Sequence, residues 1–111
     1  MTVLDDLVME TREFPRHRDW FQHHTPKNLA LAIASEAGEL AGEFRWLTIE
    51  QSARAELTTE QLAAIRLEMA DVFIFLLRLS DVLDVDLAVA VRETLALNED
   101  RFPAAGEDWK K

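Results

Sequence analysis

Two acidic pairs, each on a helical face that otherwise carries apolar residues, limit most strongly how this chain can fold. The first pair is Glu36 and Glu39, and the second is Glu68 and Asp71. Residues three apart lie on the same side of an α-helix, about one turn apart. On ideal helices both pairs fall within stripes of leucine, valine and phenylalanine. The pattern therefore places these acids in or beside the core.

Ionised carboxylates are costly to bury without a compensating positive charge. We find no lysine or arginine at a matching core position near the acids, so the pattern favours a bound divalent cation. Magnesium prefers oxygen ligands and is commonly shared with the phosphates of a substrate. Two alternatives remain open: the acids lie at the edges of their stripes and reach solvent, or they form a di-iron site. The chain contains no Glu-x-x-His motif of the kind that di-iron bundles use.

Composition favours a single all-α domain over residues 1–111. The 111 residues include only three glycines and three prolines, with many alanine, leucine and glutamate residues. The net charge of −9 argues against binding a nucleic acid polymer, which needs a basic surface. There is no cysteine, and no signal peptide or apolar run long enough to cross a membrane is recognisable. We therefore predict a cytoplasmic protein with no membrane partner.

Helical periodicity and capping residues predict a four-helix bundle. The third helix is apolar on nearly every side and should be the most buried. Leu87, Val91 and Leu95 should form the inner stripe of the fourth helix, and Asn98 continues it. The predicted helices are roughly Thr2 to Phe14 with Pro15 ending the helix, Pro26 to about Trp46 after an N-cap at Thr25, Thr58 or Thr59 to about Leu83, and Leu87 to about Phe102.

Two further features bear on a ligand. Gly38 lies between the acids of the first pair, where glycine costs about 1 kcal/mol relative to alanine in a helix, which suggests that a backbone or a ligand approaches closely. The connector before the second helix carries Trp20, His23 and His24. Either Trp20 packs on the bundle, or Trp20 or a histidine lines a ligand pocket. Adjacent histidines cannot both face one metal from a helix, which disfavours a zinc site.

The spacing Glu36-x-x-Glu39 followed by Glu68-x-x-Asp71 resembles the signature of the MazG-like all-α nucleoside triphosphate pyrophosphohydrolases. Further motifs are similar to the dCTP pyrophosphatase branch of that family and extend the resemblance over about residues 16–103. They are Arg18-Asp19-Trp20, His24, Pro26-Lys27-Asn28-Leu29, Glu39-Leu40-Ala41 leading to Phe44-x-Trp46, Val85-Asp86-Leu87-x-x-Ala90-Val91, and Asn98-x-x-Arg101-Phe102-Pro103.

The resemblance implies a MazG-like fold, a homodimer or homotetramer, and Mg²⁺-dependent hydrolysis of a nucleoside triphosphate to the monophosphate and pyrophosphate. The expected substrate is dCTP or a related pyrimidine nucleotide, and the expected role is cleansing of the nucleotide pool. Glu36, Glu39, Glu68 and Asp71 would be the catalytic and metal-binding residues. Substrate contacts would fall to Trp20, His24, Lys27, Asn28, Trp46, Phe75, Asn98 and Arg101.

Three positions depart from the family pattern. Ser35 stands where many members have another glutamate, Phe75 where relatives have a tyrosine, and Thr94 where relatives have a lysine. The last change removes a phosphate contact unless Arg92 or Lys27 supplies it. The departures leave a second hypothesis open, in which the chain is a non-catalytic helical protein that binds nucleotide or metal or mediates oligomerisation.

Overall fold

The computed structural model describes residues 2–104, and this part of the chain contains four α-helices and no strand. The prediction of an all-α fold is confirmed. The first two helices are joined through a short 3-10 helix, Phe21–His23, and the second and third through irregular turns. The helices are α1, Val3–Arg16; α2, Pro26–Gly42; α3, Thr59–Val82; and α4, Leu87–Arg101.

The N-terminal caps place three of these helices where the sequence predicts them. The side chain of Thr25 accepts a hydrogen bond from the backbone N–H of Asn28 and starts α2. Thr58 and Gln61 form a reciprocal capping box at the start of α3. Asp86 caps α4 in the same manner as Thr25. Each cap satisfies backbone donors that have no partner inside the helix.

Two predicted helix ends are wrong. Pro15 does not end α1; it lies buried within the last turn, and the helix continues to Arg16. Proline has no N–H donor, but the last turn still closes because the N–H of His17 donates to the carbonyl of Glu13. The second helix ends at Gly42 rather than Trp46, and residues 43–46 form turns with hydrogen bonds between residues three apart.

The core of the described chain lies where α3 packs along α2 and, over a smaller area, along α1. Its buried hydrophobic residues are Leu29 on α2 and Ile65 and Leu77 on α3. This contact holds the two acid-bearing helices against each other. The acidic pairs are thereby brought to one place, which sequence spacing within either helix cannot do.

The third helix is the most buried of the four, as predicted, since it carries the buried residues Ile65, Leu77, Arg78 and Ser80. It is not covered on all sides in a single chain, because Leu67 and Phe73 are 68% and 42% exposed. The predicted inner stripe of α4 is wrong for a single chain. Val91 and Leu95, from the predicted inner stripe of α4, are more than half exposed because α4 makes few contacts with the other helices. The radius of gyration is 17.6 Å, whereas a compact domain of this length has about 13 Å. One chain supplies too few neighbouring helices to cover its apolar surface.

The surroundings of Gly38 also differ from the prediction. A Cβ atom built on this residue would meet no atom within 4 Å. No backbone of the described residues approaches it, so a close backbone is excluded for the single chain, and the close approach of a ligand stays a prediction.

None of the helices within residues 2–104 combines the length and the apolar character needed to cross a membrane.

Candidate metal centre and adjoining cavity

Three carboxylates converge where α2 and α3 meet. Glu36, Glu39 and Glu68 each offer one oxygen, and the three oxygens lie within 4.8 Å of one another. Asp71 follows Glu68 by one turn of α3 and lies outside this group of three, although its negative charge acts on both Glu36 and Glu68. The packing of α2 on α3 thus assembles an acidic cluster from both pairs.

Glu36 and Glu68 are the shielded members of the cluster. Each has one carboxylate oxygen, Oε2, that is closed off from solvent and accepts no hydrogen bond from the described residues. Burial, followed by the negative charge of Glu39, raises the pKa of Glu36 above its ordinary value. Burial and the same neighbouring charge also raise the pKa of Glu68. Both observations show that the ionised cluster lacks a positive partner within the described chain.

The donor set fits a hard divalent cation. Magnesium binds oxygen ligands at about 2.1 Å, so the oxygens of one coordination sphere lie up to about 4 Å apart. The three oxygens lie at most 4.8 Å apart, so small movements of the flexible glutamate side chains bring them within this span. No histidine belongs to the cluster, which fits magnesium or calcium better than zinc or a di-iron centre. The two shielded oxygens disfavour the interpretation that Glu36 and Glu68 are merely solvated surface acids.

A cavity of about 500 Å³ adjoins the acids. Its walls come from α1, the α1–α2 connector and α3, and they include Trp20, His24, Asp71 and Phe75. Asp71 therefore belongs to both regions, since it lines the cavity and acts electrostatically on the acidic cluster. The volume is within the range of small-ligand sites, roughly 300–1,000 Å³.

Both interpretations of Trp20 apply to some extent. Its ring packs edge-on against Phe14, with 5.6 Å between ring centroids, and it also lines the cavity. About half of the side chain is exposed. Trp20 therefore presents a partly free aromatic face, on which a planar ligand group can stack.

The remaining predicted substrate-binding residues lie outside the lining of this cavity, and their contacts stay predictions. Trp46 is 82% exposed, with the guanidinium of Arg45 over its ring. Asn28 donates from its side chain to the carbonyl of His23. The others are Lys27 near the start of α2 and Asn98 and Arg101 at the end of α4.

Sequence reasoning missed Arg78, and the statement that no basic residue occupies a core position near the acids is wrong. Arg78 is only 4% exposed and lines the cavity. It donates a hydrogen bond to His24 and another to Asp81. The available signal was its spacing of seven residues, or two helical turns, from Asp71, which places both on one face of α3.

The fold and the carboxylate cluster define the class of protein: an all-α chain with a candidate site for a hard cation between two helices and a ligand-sized cavity beside it. No protein-family model matches the chain. Among solved structures, a pyrophosphatase from Archaeoglobus fulgidus superposes with a TM-score of 0.84 at 34% sequence identity, over 94% of this chain and 95% of that one.

Curated proteins give the same result. The chain is 39% identical over 102 residues to human dCTP pyrophosphatase 1 and 37% identical over 101 residues to the mouse protein of that name. These matches cover 92% and 91% of this chain, but only 60% and 59% of the relatives, so it spans about three fifths of their length. The chain belongs to the MazG-like all-α pyrophosphatase family.

Proposed function

We propose that this chain hydrolyses a nucleoside triphosphate, dCTP or a related pyrimidine nucleotide, to the monophosphate and pyrophosphate. The observation that carries the proposal is the convergence of three carboxylates, two of them with shielded and unpaired oxygens, beside a ligand-sized cavity. The names of the curated relatives support the choice of substrate. Removal of unwanted nucleotides from the pool is the role that such a reaction serves.

In this proposal, Glu36, Glu39, Glu68 and Asp71 hold Mg²⁺. When bound, the ion neutralises the acids and the phosphate oxygens and polarises the phosphoryl group. Water attacks the triphosphate, the bond between the α- and β-phosphates breaks, and pyrophosphate leaves. One of the four carboxylates orients the water and accepts its proton. Trp20 and His24 contact the base or sugar in the cavity, and Phe75 forms part of its wall.

We also propose that the chain assembles as a homodimer or homotetramer. The apolar residues of α3 and α4 that one chain leaves exposed support this assembly. So does the radius of gyration, which exceeds that of a compact monomer of this length. Burying these surfaces against further copies is the usual solution for symmetric oligomers.

The test measures pyrophosphate release from individual deoxy- and ribonucleoside triphosphates with Mg²⁺. We expect turnover to be highest with dCTP or a related pyrimidine nucleotide. Glu68→Gln should lower kcat more than about 100-fold, because changing even the outer neighbours of a metal ligand costs 10–100-fold. Glu60→Gln is the matched control, since it removes an exposed charge near the start of α3, two turns from the cluster.

Absence of turnover with every nucleotide would contradict the enzymatic proposal. If nucleotide and Mg²⁺ together still raised the thermal unfolding midpoint, the chain would instead be the non-catalytic binding protein of the second hypothesis. If neither ligand changed the midpoint, the metal site itself would be refuted.

A further inference from the structure

The end of the cavity away from the acidic cluster is built around a buried guanidinium. Arg78 follows Asp71 by two turns on the same face of α3, and both residues line the cavity. Arginine is rarely buried unless its charge is paired. The proposed reaction gives Arg78 no role, so its burial calls for a separate explanation.

Arg78 is held from two sides. Its Nη1 donates to Oδ2 of Asp81 over 2.7 Å. Arg12 on α1 binds the same carboxylate in a bidentate manner, with contacts of 2.6 and 2.9 Å. The carbon at the centre of the guanidinium lies 5.1 Å from the ring centroid of Phe21. Because the carboxylate and the ring fix its position, the guanidinium has little freedom to turn away from the cavity.

The contact with His24 determines where the proton of that imidazole lies. The Nε–H group of Arg78 donates to Nδ1 of His24 over 3.2 Å. An arginine is always protonated and has no acceptor, so Nδ1 must carry a lone pair. Burial and the positive charge of Arg78 lower the pKa of His24, which keeps the ring neutral at neutral pH. The proton of the neutral ring then resides on Nε2, which is a donor.

Arg78 retains a donor of its own. Its hydrogen bonds within residues 2–104 use Nε and Nη1, which leaves Nη2 available. Since both Arg78 and His24 line the cavity, the N–H groups left for a ligand at this end are Nη2 of Arg78 and Nε2 of His24. Two fixed donors suit a ligand edge with two neighbouring acceptors.

We infer, on the basis of the function proposed above, that Arg78 determines which base the cavity binds. Arg78 fixes His24 as the Nε2–H tautomer. Together with the Nη2–H of Arg78, this tautomer selects a base edge that carries two adjacent acceptors. Cytosine has such an edge, formed by O2 and N3. Thymine and uracil carry an N–H donor at N3, which would meet a donor of the protein and leave both without partners. Such a mismatch is a strong source of discrimination between ligands.

The experiment uses the 111-residue chain labelled with ¹⁵N-histidine and the monophosphates dCMP and dTMP as probes, so that it needs no turnover. Long-range ¹⁵N–¹H spectra distinguish the tautomers of the three histidines, and a His24→Gln sample assigns the signal of His24. We expect wild-type His24 to be the Nε2–H form. We also expect dCMP to shift its Nε2 signal at concentrations at which dTMP does not.

Arg78→Lys keeps a positive charge beside Asp81 but removes the donor to His24. We expect this variant to show a mixture of tautomers and to reduce the dCMP:dTMP affinity ratio by about tenfold. Arg66→Lys is the matched control, because Arg66 is an exposed arginine on the same helix and should change neither quantity. If the dCMP:dTMP affinity ratio of Arg78→Lys equals that of wild type, the inference is overturned, whichever tautomer His24 adopts in the variant.

If Arg78→Lys does not fold, the wild-type titration decides, and equal shifts of the His24 signal with dCMP and dTMP overturn the inference. Failure of the proposed enzymatic function is distinguishable from both results. It would appear as a lack of pyrophosphate release, whereas the tautomer and the monophosphate preference are measured without turnover.

Discussion

Individual carboxylates in this protein lie in opposite electrostatic environments. Glu36 and Glu68 face other acids, and burial together with neighbouring negative charge raises their pKa values. Asp81 instead receives hydrogen bonds from Arg12 and Arg78, and these lower its pKa. The first two residues destabilise the metal-free fold when ionised, and the third stabilises it. This contrast separates carboxylates suited to a ligand cation from one that is already paired within the chain.

At this scale we predict that Glu36→Gln stabilises the metal-free protein at neutral pH. Because the pKa of Glu36 is raised in the folded protein, its contribution to stability is fully present at pH values below the ordinary pKa of 4.5. This contribution is lost as the pH rises through the pKa of the folded state. The variant avoids this loss. In EDTA, its thermal unfolding midpoint should exceed that of wild type at pH 7–8 and match it near pH 4.

Mg²⁺ provides the internal check on that measurement. Adding it should raise the midpoint of wild type and have a much smaller effect on Glu36→Gln, since the variant lacks one ligand. The exposed Glu60→Gln should show the same increase in midpoint on adding Mg²⁺ as wild type. Equal midpoints of wild type and Glu36→Gln in EDTA at every pH would show that the acids do not repel one another.

Asp81 should show the opposite pH dependence. Asp81→Asn removes the negative charge and one of the two oxygens that accept hydrogen bonds from Arg12 and Arg78. We expect a loss of about 2 kcal/mol in the free energy of unfolding at pH 7, measured by urea denaturation. Because the pKa of Asp81 is lowered, its contribution is present above the ordinary value of 3.8 and declines as pH falls below it. The difference between variant and wild type should therefore shrink in acid. Asp100→Asn, on the exposed side of α4, is the control.

At the level of elements, local sequence determines where the helices begin, and tertiary contacts determine which faces are covered. The capping box of Thr58 and Gln61 requires only residues three apart, so it follows from the sequence alone. Gly38 is the opposite case. Its lack of a side chain suggests a close neighbour, yet the space around it is open.

We predict that Gly38→Ala increases the free energy of unfolding by about 1 kcal/mol, because alanine loses less backbone entropy than glycine in a helix interior. Denaturation under conditions that keep the chain monomeric would measure this gain. If the substitution instead weakened self-association, a second copy would be the close neighbour that the glycine accommodates. Ala41→Gly, at an exposed position one turn away on the same helix, should lower stability by a similar amount.

The whole molecule exposes a continuous apolar surface between its helices. A groove of about 520 Å³ is lined by residues of α1, α3 and α4, among them Phe73, Val91 and Leu95. Side chains of this type stay in water only at a cost of about 25 cal/mol for each Å² of apolar surface. We therefore expect the groove to be covered when chains associate.

We predict that Leu95→Asp lowers the oligomeric state, measured by sedimentation equilibrium or light scattering, because it places a charge on this groove. Leu97→Asp is a matched control, since Leu97 is similarly exposed but lies on another side of α4. A wild-type chain that is monomeric at micromolar concentrations, or a Leu95→Asp variant that still associates fully, would contradict the proposed assembly through this groove.

The sequence alone determined the all-α fold, the cap of α2, the approximate starts of α3 and α4, and the placement of each acidic pair on one helical face. All of these depend on residues a few positions apart, and helical spacing relates such residues directly. Only the tertiary structure could bring Glu36, Glu39 and Glu68 together, because that depends on how α2 packs on α3. It also decided the pairing of Arg78 with His24, 54 residues away in the chain. Periodicity assigns a residue to a face of its helix, but the element packed against that face determines what the residue contacts.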